Sequence, residues 1–162
     1  MRAQGSIGVL VCLVGLTMPS GLPPNISASP ELCDVVAVML RESATFRTQS
    51  RRLGTMPHVR VQISLEEPRG RRPAARAQTD LARYDFGGIT AFVHLRSRRD
   101  AIELIAHELE HVIEFAEGLN YRILAVLQPG SVWEAQGGFE TSRAMDAGRR
   151  VQRESSIVMA HR

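Results

Sequence analysis

Two periods of apolar residues run through this chain of 162 residues and predict where its strands and helices lie. From His58 to Glu67 the residues alternate between apolar and polar, which is the period of a strand with one buried face. The stretch 89–95 repeats this alternation directly after the pair Gly87-Gly88. Both stretches are predicted as strands, and we expect them to belong to a small antiparallel sheet.

Helical periodicity marks three further stretches. The stretch from Ser29 to Arg47 opens with Ser-Pro-Glu, which is a strong helix start, and continues with helical apolar spacing. Helices are also predicted from Asp100 to Gly118 and from Phe139 to Glu154. The short apolar run 121–127 is predicted as a strand or a buried turn. Together these elements predict an α+β domain.

The helix predicted from Asp100 to Gly118 divides into three faces. Asp100 is expected to cap its start, Glu103 to complete a capping box, and Gly118 to end the helix. The apolar face is predicted to pack in the core and consists of Ala101, Ile102, Ile105, Ala106, Leu109, Val112, Ile113 and Ala116. The acidic face is predicted to point into solvent and consists of Glu103, Glu110, Glu114 and Glu117.

The third face of this helix carries the pattern H-E-x-x-H, from His107 to His111. Two histidines one helical turn apart can direct their imidazoles at a single zinc ion, while Glu108 beside them can act on a water molecule. A coincidental match is the alternative, because a motif this short also arises by chance. A di-iron bundle is disfavoured because it requires a second E-x-x-H, which the chain lacks.

A zinc ion held by two histidines needs a third protein ligand. Glu140 is the predicted ligand, placed in the first turn of the 139–154 helix at the end of a narrow face of small residues. A carboxylate there would be costly to bury without a cation to meet it. Four other side chains stay open as the third ligand: His58, His94, Glu134 and Asp146. Asp146 or Glu134 could instead accept a hydrogen bond from a ligand imidazole.

Residues 1–28 are predicted to be a secretory signal peptide, with an uncleaved N-terminal anchor as the alternative. The apolar stretch 6–18 follows the positive charge of Arg2 and is too short to span a bilayer comfortably. Cleavage is expected between Ser20 and Ala28, which would export a domain of residues 29–155 with a tail, 156–162, to the periplasm or the extracellular space. After cleavage we expect no stable insertion into a membrane.

Composition narrows the range of partners. The formal net charge is +3, and all 20 basic residues are arginine. The arginine clusters at 69–76 and 96–99 lack interleaved aromatic residues, so binding to nucleic acid is not predicted. The first cluster falls in a polar stretch, 68–77, that is predicted as a mobile loop. The oligomeric state stays open.

Two strands, an H-E-x-x-H helix and a later helix carrying a glutamate resemble the zincin metallopeptidases, and in particular the short members of the gluzincin branch called minigluzincins. The resemblance implies a minimal zincin-like domain with His107, His111 and Glu140 as Zn²⁺ ligands and Glu108 as general base. It implies hydrolysis of peptide bonds in a peptide or protein substrate aligned along the second strand. One departure is Ala144, which stands where many gluzincins have an acid that supports a ligand histidine.

Two other functions are compatible with the sequence. A secreted module could bind zinc for stability without catalysing hydrolysis, or the motif could be accidental in a metal-free interaction protein. Under the hydrolase prediction the developing oxyanion needs a partner, for which the sequence offers Tyr84, Tyr121, His94 or an arginine.

Overall fold

The computed structural model describes residues 21–66, 75–135 and 138–159, which fold into an α+β domain as predicted. The strands are β1 (Ile26–Ala28), β2 (Val59–Leu65), β3 (Ala77–Arg83), β4 (Ile89–Leu95), β5 (Val132–Ala135) and β6 (Gly138–Thr141). The helices are α1 (Cys33–Glu42), α2 (Ala44–Gly54), α3 (Ala101–Ala116), α4 (Tyr121–Leu127) and α5 (Ser142–Met159).

The main sheet has the strand order β1-β2-β4-β3 and is mixed. β1, β2 and β4 are parallel, and only β3 runs antiparallel to its neighbour β4. The prediction of a small antiparallel sheet is therefore wrong for this sheet. The chain passes through β3 between β2 and β4, and β3 pairs with the edge of β4 that faces away from β2, so β2 and β4 run in the same direction. The separate pair β5-β6 is an antiparallel hairpin.

One face of the main sheet packs against the helices and forms the core. The alternation of β2 and β4 predicted this face correctly, since it consists of the buried residues Val59, Val61, Ile63, Ile89, Ala91, Val93 and Leu95. The apolar face of α3 packs in the same core, with Ile105, Leu109 and Ile113 fully buried. Because this face of α3 packs on the sheet, the histidines of the H-E-x-x-H motif lie on a side of the helix that points away from the core.

The first predicted helix is two helices in the structure. Ser43 interrupts it with an extended backbone, and its hydroxyl accepts a hydrogen bond from the Phe46 amide at 3.0 Å, which caps the start of α2. The carboxylate of Glu154 on α5 accepts bonds from the Ser43 and Thr45 hydroxyls at 2.5 and 2.7 Å. The break thus anchors the C-terminal helix to the α1–α2 junction.

Two details predicted for α3 are wrong. Asp100 adopts a left-handed conformation with φ 61°, and its carboxylate accepts a bond from Arg76 at 3.0 Å and does not cap the helix. Glu110 and Glu114 are buried and do not face solvent. Other elements cover this side of α3, as Gln49 of α2 shows by donating to Glu110 at 2.6 Å.

Helix α5 lies very close to α3 along the predicted face of small residues. Ala144, Ala147 and Val151 are buried on this face, as predicted. A Cβ atom at Gly148 would stand 2.9 Å from the Glu103 carbonyl oxygen, so only glycine permits this approach. The close packing brings the start of α5, and the strand before it, next to the motif.

The run after α3 is neither the strand nor the buried turn that was predicted. Gly118 ends α3 with φ 74°, as expected of its position. The side chain of Asn120 then accepts a bond from the Ile123 amide at 3.2 Å and begins helix α4. Within the part of the chain that the structure describes, no residue of α4 is fully buried, and Ile123, Val126 and Leu127 are exposed.

Part of the predicted N-terminal leader belongs to the folded domain, because Ile26–Ala28 pairs with β2. The apolar stretch 6–18 and most of the predicted loop 68–77 lie outside the described residues. Within the described ranges, no helix combines the length and apolar character that crossing a membrane requires.

Candidate metal centre

His107 and His111 project from the same side of α3 toward a cleft, as the motif predicted. Their Nε2 atoms are 3.2 Å apart, and the ring centroids are separated by 4.8 Å in an edge-on arrangement. Both side chains are largely buried, with 13% of each exposed. Two imidazole nitrogens at this distance can both bind one cation.

Glu140 joins the two histidines, but it comes from strand β6 and not from the first turn of a helix. The Glu140 Oε2 atom lies 3.1 Å from His107 Nε2 and 3.7 Å from His111 Nε2. The helix begins two residues later, because the Thr141 hydroxyl accepts the Ala144 amide at 3.0 Å and caps α5. The prediction that Glu140 lies beside the two histidines is therefore confirmed, but the prediction that it lies in a helix is wrong.

The three side chains form a group that could hold a metal ion. Glu140 Oε2 is buried and has no hydrogen-bond partner of good geometry among the described residues. The adjacent His107 and His111 imidazoles hold the pKa of the Glu140 carboxyl well below its usual range. Glu140 Oε2 and the two Nε2 atoms are electron-pair donors, and their convergence suits a cation that all three can bind.

Glu114 is a buried acid that orients His111, and it was missed because it was predicted to face solvent. It is 1% exposed, and its Oε2 atom accepts a bond from His111 Nδ1 at 3.0 Å. Its Oε1 atom accepts a bond from the Thr141 hydroxyl at 2.8 Å. Since Thr141 follows Glu140 on β6, one buried carboxylate positions both the His111 ring and the strand that carries Glu140.

The charge of His111 reflects these neighbours. Burial disfavours its protonated form, but the hydrogen bond to Glu114 and the adjacent Glu140 carboxylate outweigh burial and raise the pKa of His111 to about 9. In the metal-free protein the ring is thus largely protonated at neutral pH, and a cation must displace that proton to bind.

Glu108 lies in the same cleft but outside the ligand group. Its Oε2 atom accepts a bond from the Thr79 hydroxyl at 2.6 Å. Thr79 belongs to β3, so the edge of the main sheet fixes the orientation of this carboxylate. Thr79 was missed because no strand was predicted over residues 77–83.

The cleft has a volume of about 420 Å³ and lies between β3, α3 and the β5–β6 hairpin. One wall is β3, whose Ala77, Thr79 and Leu81 line the cleft. The strand predicted as the rim, β4, is paired on both sides and cannot accept a peptide. Among the described residues β3 pairs only with β4, so one of its edges is left unpaired at the cleft.

The structure separates the other predicted candidates. Tyr121 lines the cleft, and its hydroxyl lies 3.5 Å from Glu114 Oε2. Tyr84 is exposed in the turn between β3 and β4 and does not line the cleft. His94 lies on the sheet face opposite α3, where its Nδ1 atom is 3.1 Å from the Ser64 hydroxyl. The remaining ligand candidates are exposed and outside the group: His58, Glu134 and Asp146.

Comparison of the chain with protein-family models, curated proteins and solved structures finds no match. The function must therefore be inferred from the fold and from the geometry of this centre.

Proposed function

We propose that this protein is a zinc-dependent peptide hydrolase of the gluzincin type. The observation that carries the proposal is the convergence of three donor atoms. The two Nε2 atoms are 3.2 Å apart, and Glu140 Oε2 lies 3.1 Å from that of His107 and 3.7 Å from that of His111. Two ligands that each lie about 2.0–2.1 Å from a tetrahedral zinc ion are roughly 3.3 Å apart. The spacing and the donor set of two imidazoles and one carboxylate suit a zinc site that keeps one position open.

Zinc bound at this site would supply Lewis acidity toward a water molecule and a scissile carbonyl group. Glu108 has the position of a general base, since it lines the cleft without joining the ligand group. Its carboxylate accepts a proton from the attacking water and delivers it to the leaving amine. The bond from Thr79 at 2.6 Å orients this carboxylate and limits its movement.

The free edge of β3 aligns the substrate. An extended peptide can pair with this edge through backbone hydrogen bonds, and its scissile bond would then lie between β3 and the motif. Tyr121 is the oxyanion candidate that lines the cleft. Burial and the nearby Glu114 carboxylate raise the pKa of the Tyr121 phenol above its usual value, so it stays a hydrogen-bond donor at neutral pH. The predicted leader makes export to the periplasm or the extracellular space part of the proposal.

The test compares wild-type protein with Glu108→Gln, using fluorogenic peptides in the presence of zinc. We expect the variant to keep its zinc and to lose roughly 10²–10⁴-fold in kcat, the range for a general base. Glu103→Gln is the matched control, because Glu103 lines the cleft but belongs neither to the ligand group nor to the H-E-x-x-H motif. Equal hydrolysis by wild type and Glu108→Gln, or hydrolysis that survives removal of zinc, would refute the proposal.

The same experiment tests the alternative of a non-catalytic zinc module. If wild type and Glu108→Gln both bind zinc, neither hydrolyses any peptide, and chelation unfolds the protein, then zinc has a stabilising role only.

A further inference from the structure

Strand β3 runs alongside α3 in the same direction, with the cleft between them. Arg76, directly before β3, donates to Asp100, directly before α3, at 3.0 Å. At the other end, the guanidinium of Arg83, the last residue of β3, lies 4.9 Å from the ring centroid of Phe115, near the end of α3. The position of a residue along β3 therefore shows which part of the cleft it borders.

The part of the cleft nearest the end of α3 is lined by aromatic and apolar side chains. Leu81 lines it from the second half of β3. Tyr121 lines it from the start of α4, and its hydroxyl is 3.5 Å from Glu114 Oε2. Phe139 lines it from β6 and stacks on Tyr121, with ring centroids 5.5 Å apart. We call Leu81, Tyr121 and Phe139 the aromatic end of the cleft.

The part of the cleft nearest the start of α3 is charged. Arg76 and Glu103 line it, and Leu104 beside them is only 8% exposed. A large apolar side chain bound there would remove water from charged groups, which costs free energy. The aromatic end is therefore the better place for such a side chain.

The position of Thr79 relates the aromatic end to the reacting bond. Thr79 donates to Glu108 at 2.6 Å, so the scissile bond of a substrate would lie level with Thr79 on β3. Leu81 lies two residues further along the same face of the strand, which is about 7 Å away. An extended peptide paired with β3 has the same rise per residue. The aromatic end would therefore meet a side chain within two residues of the scissile bond.

We propose that the aromatic end is a subsite that selects a large apolar or aromatic side chain on one side of the scissile bond. Leu81 forms its wall on β3, and the Tyr121–Phe139 pair forms the wall opposite. Phe139 is 36% exposed, so its ring has free surface for contact with a substrate side chain. Contacts between aromatic rings add to the free energy of burying them. The substrate class defined by this subsite rests on the proposed function.

Cleavage of a peptide mixture varied at every position, with the cleavage sites mapped by mass spectrometry, tests the subsite. Wild type should favour phenylalanine, tyrosine or leucine over serine about tenfold at one position within two residues of the scissile bond, because the side chain buries apolar area there. Phe139→Ser should lose most of this preference at that position alone, and Phe139→Tyr should keep it. The matched control is Phe92→Ser, since Phe92 is also 36% exposed but does not line the cleft.

Binding tests the subsite without turnover. The zinc-loaded Glu108→Gln protein is titrated into two labelled peptides that differ only in carrying phenylalanine or serine at four central positions. The phenylalanine peptide should bind about tenfold more tightly, and adding Phe139→Ser should remove most of this difference. Adding Phe92→Ser should leave it intact.

Each outcome bears on a separate claim. Equal binding of the two peptides, or a difference that survives Phe139→Ser, overturns the subsite. Cleavage by wild type without a preference that depends on Phe139 also overturns the subsite and leaves the hydrolase standing. Preferential binding that depends on Phe139, without cleavage of any peptide by wild type, refutes only the hydrolase. Absence of both binding and cleavage refutes both.

Discussion

Glu114→Gln should weaken metal binding although residue 114 touches no metal. The wild-type carboxylate accepts bonds from His111 Nδ1 at 3.0 Å and from the Thr141 hydroxyl at 2.8 Å. Glutamine has the same shape, but only one of its two terminal atoms can accept. One of the two donors then faces an NH₂ group and loses its partner.

The expected magnitude follows from this loss. Removing the acceptor of a ligand histidine typically lowers metal affinity about 10- to 100-fold, which corresponds to about 1.4–2.7 kcal/mol. A buried donor left without a partner costs about 1–3 kcal/mol of the free energy of unfolding. Both effects apply here because Glu114 is 1% exposed and water cannot replace the lost partner.

Competition of the protein with a chromophoric chelator measures zinc affinity, and urea unfolding measures stability. The matched control is Glu117→Gln, one turn further along the chain, which removes an exposed carboxylate that pairs with Arg52 and Arg143 and contacts neither imidazole. The reasoning is refuted if folded Glu114→Gln binds zinc as tightly as the control.

Three further predictions concern the packing around the centre. Gly148→Ala should lower the free energy of unfolding by about 1–3 kcal/mol, because the new Cβ would stand 2.9 Å from the Glu103 carbonyl oxygen. A variant that is more stable than wild type in urea unfolding would contradict the close packing of α3 and α5. Burial raises the pKa of Glu154, but hydrogen bonds from Ser43 and Thr45 outweigh it and lower that pKa overall. The ionised carboxylate therefore stabilises the folded protein above the ordinary carboxyl pKa, and this contribution is lost as pH falls. Glu154→Gln should therefore cost about 1 kcal/mol at neutral pH and progressively less toward pH 3, and a pH-independent difference in urea unfolding would contradict this. Zinc binding near neutral pH should release about one proton from His111, whose pKa is about 9. Calorimetry in buffers of different ionisation enthalpy measures this release, and a binding enthalpy that is the same in every buffer would contradict it.

Residue periodicity predicted the buried faces well. The buried faces predicted for β2, β4 and α3 are confirmed, because an element that buries one face needs apolar residues at the spacing of that face. Strand pairing leaves no such record. The parallel pairing of β2 with β4 depends on where β3 lies, and β3 has mixed, half-buried residues on both faces.

The candidate site was predicted in part for the same reason. The spacing of His107 and His111 on one helix is a local property, so their approach could be read directly from the sequence. Glu140 was identified as their neighbour, but the Gly-Phe-Glu-Thr stretch that contains it extends into β6 by pairing with β5. Glu114 was misassigned to solvent because its burial depends on Thr141 and Tyr121, which approach from other elements.

The metal content of the purified protein is the most direct test of a zinc centre formed by His107, His111 and Glu140. We predict about one zinc per chain for wild type and for Glu134→Ala, which removes an exposed carboxylate from the neighbouring strand. Glu140→Ala should retain far less zinc after dialysis against a weak chelator. Equal zinc in Glu140→Ala and wild type, or no zinc in either, would contradict the assignment.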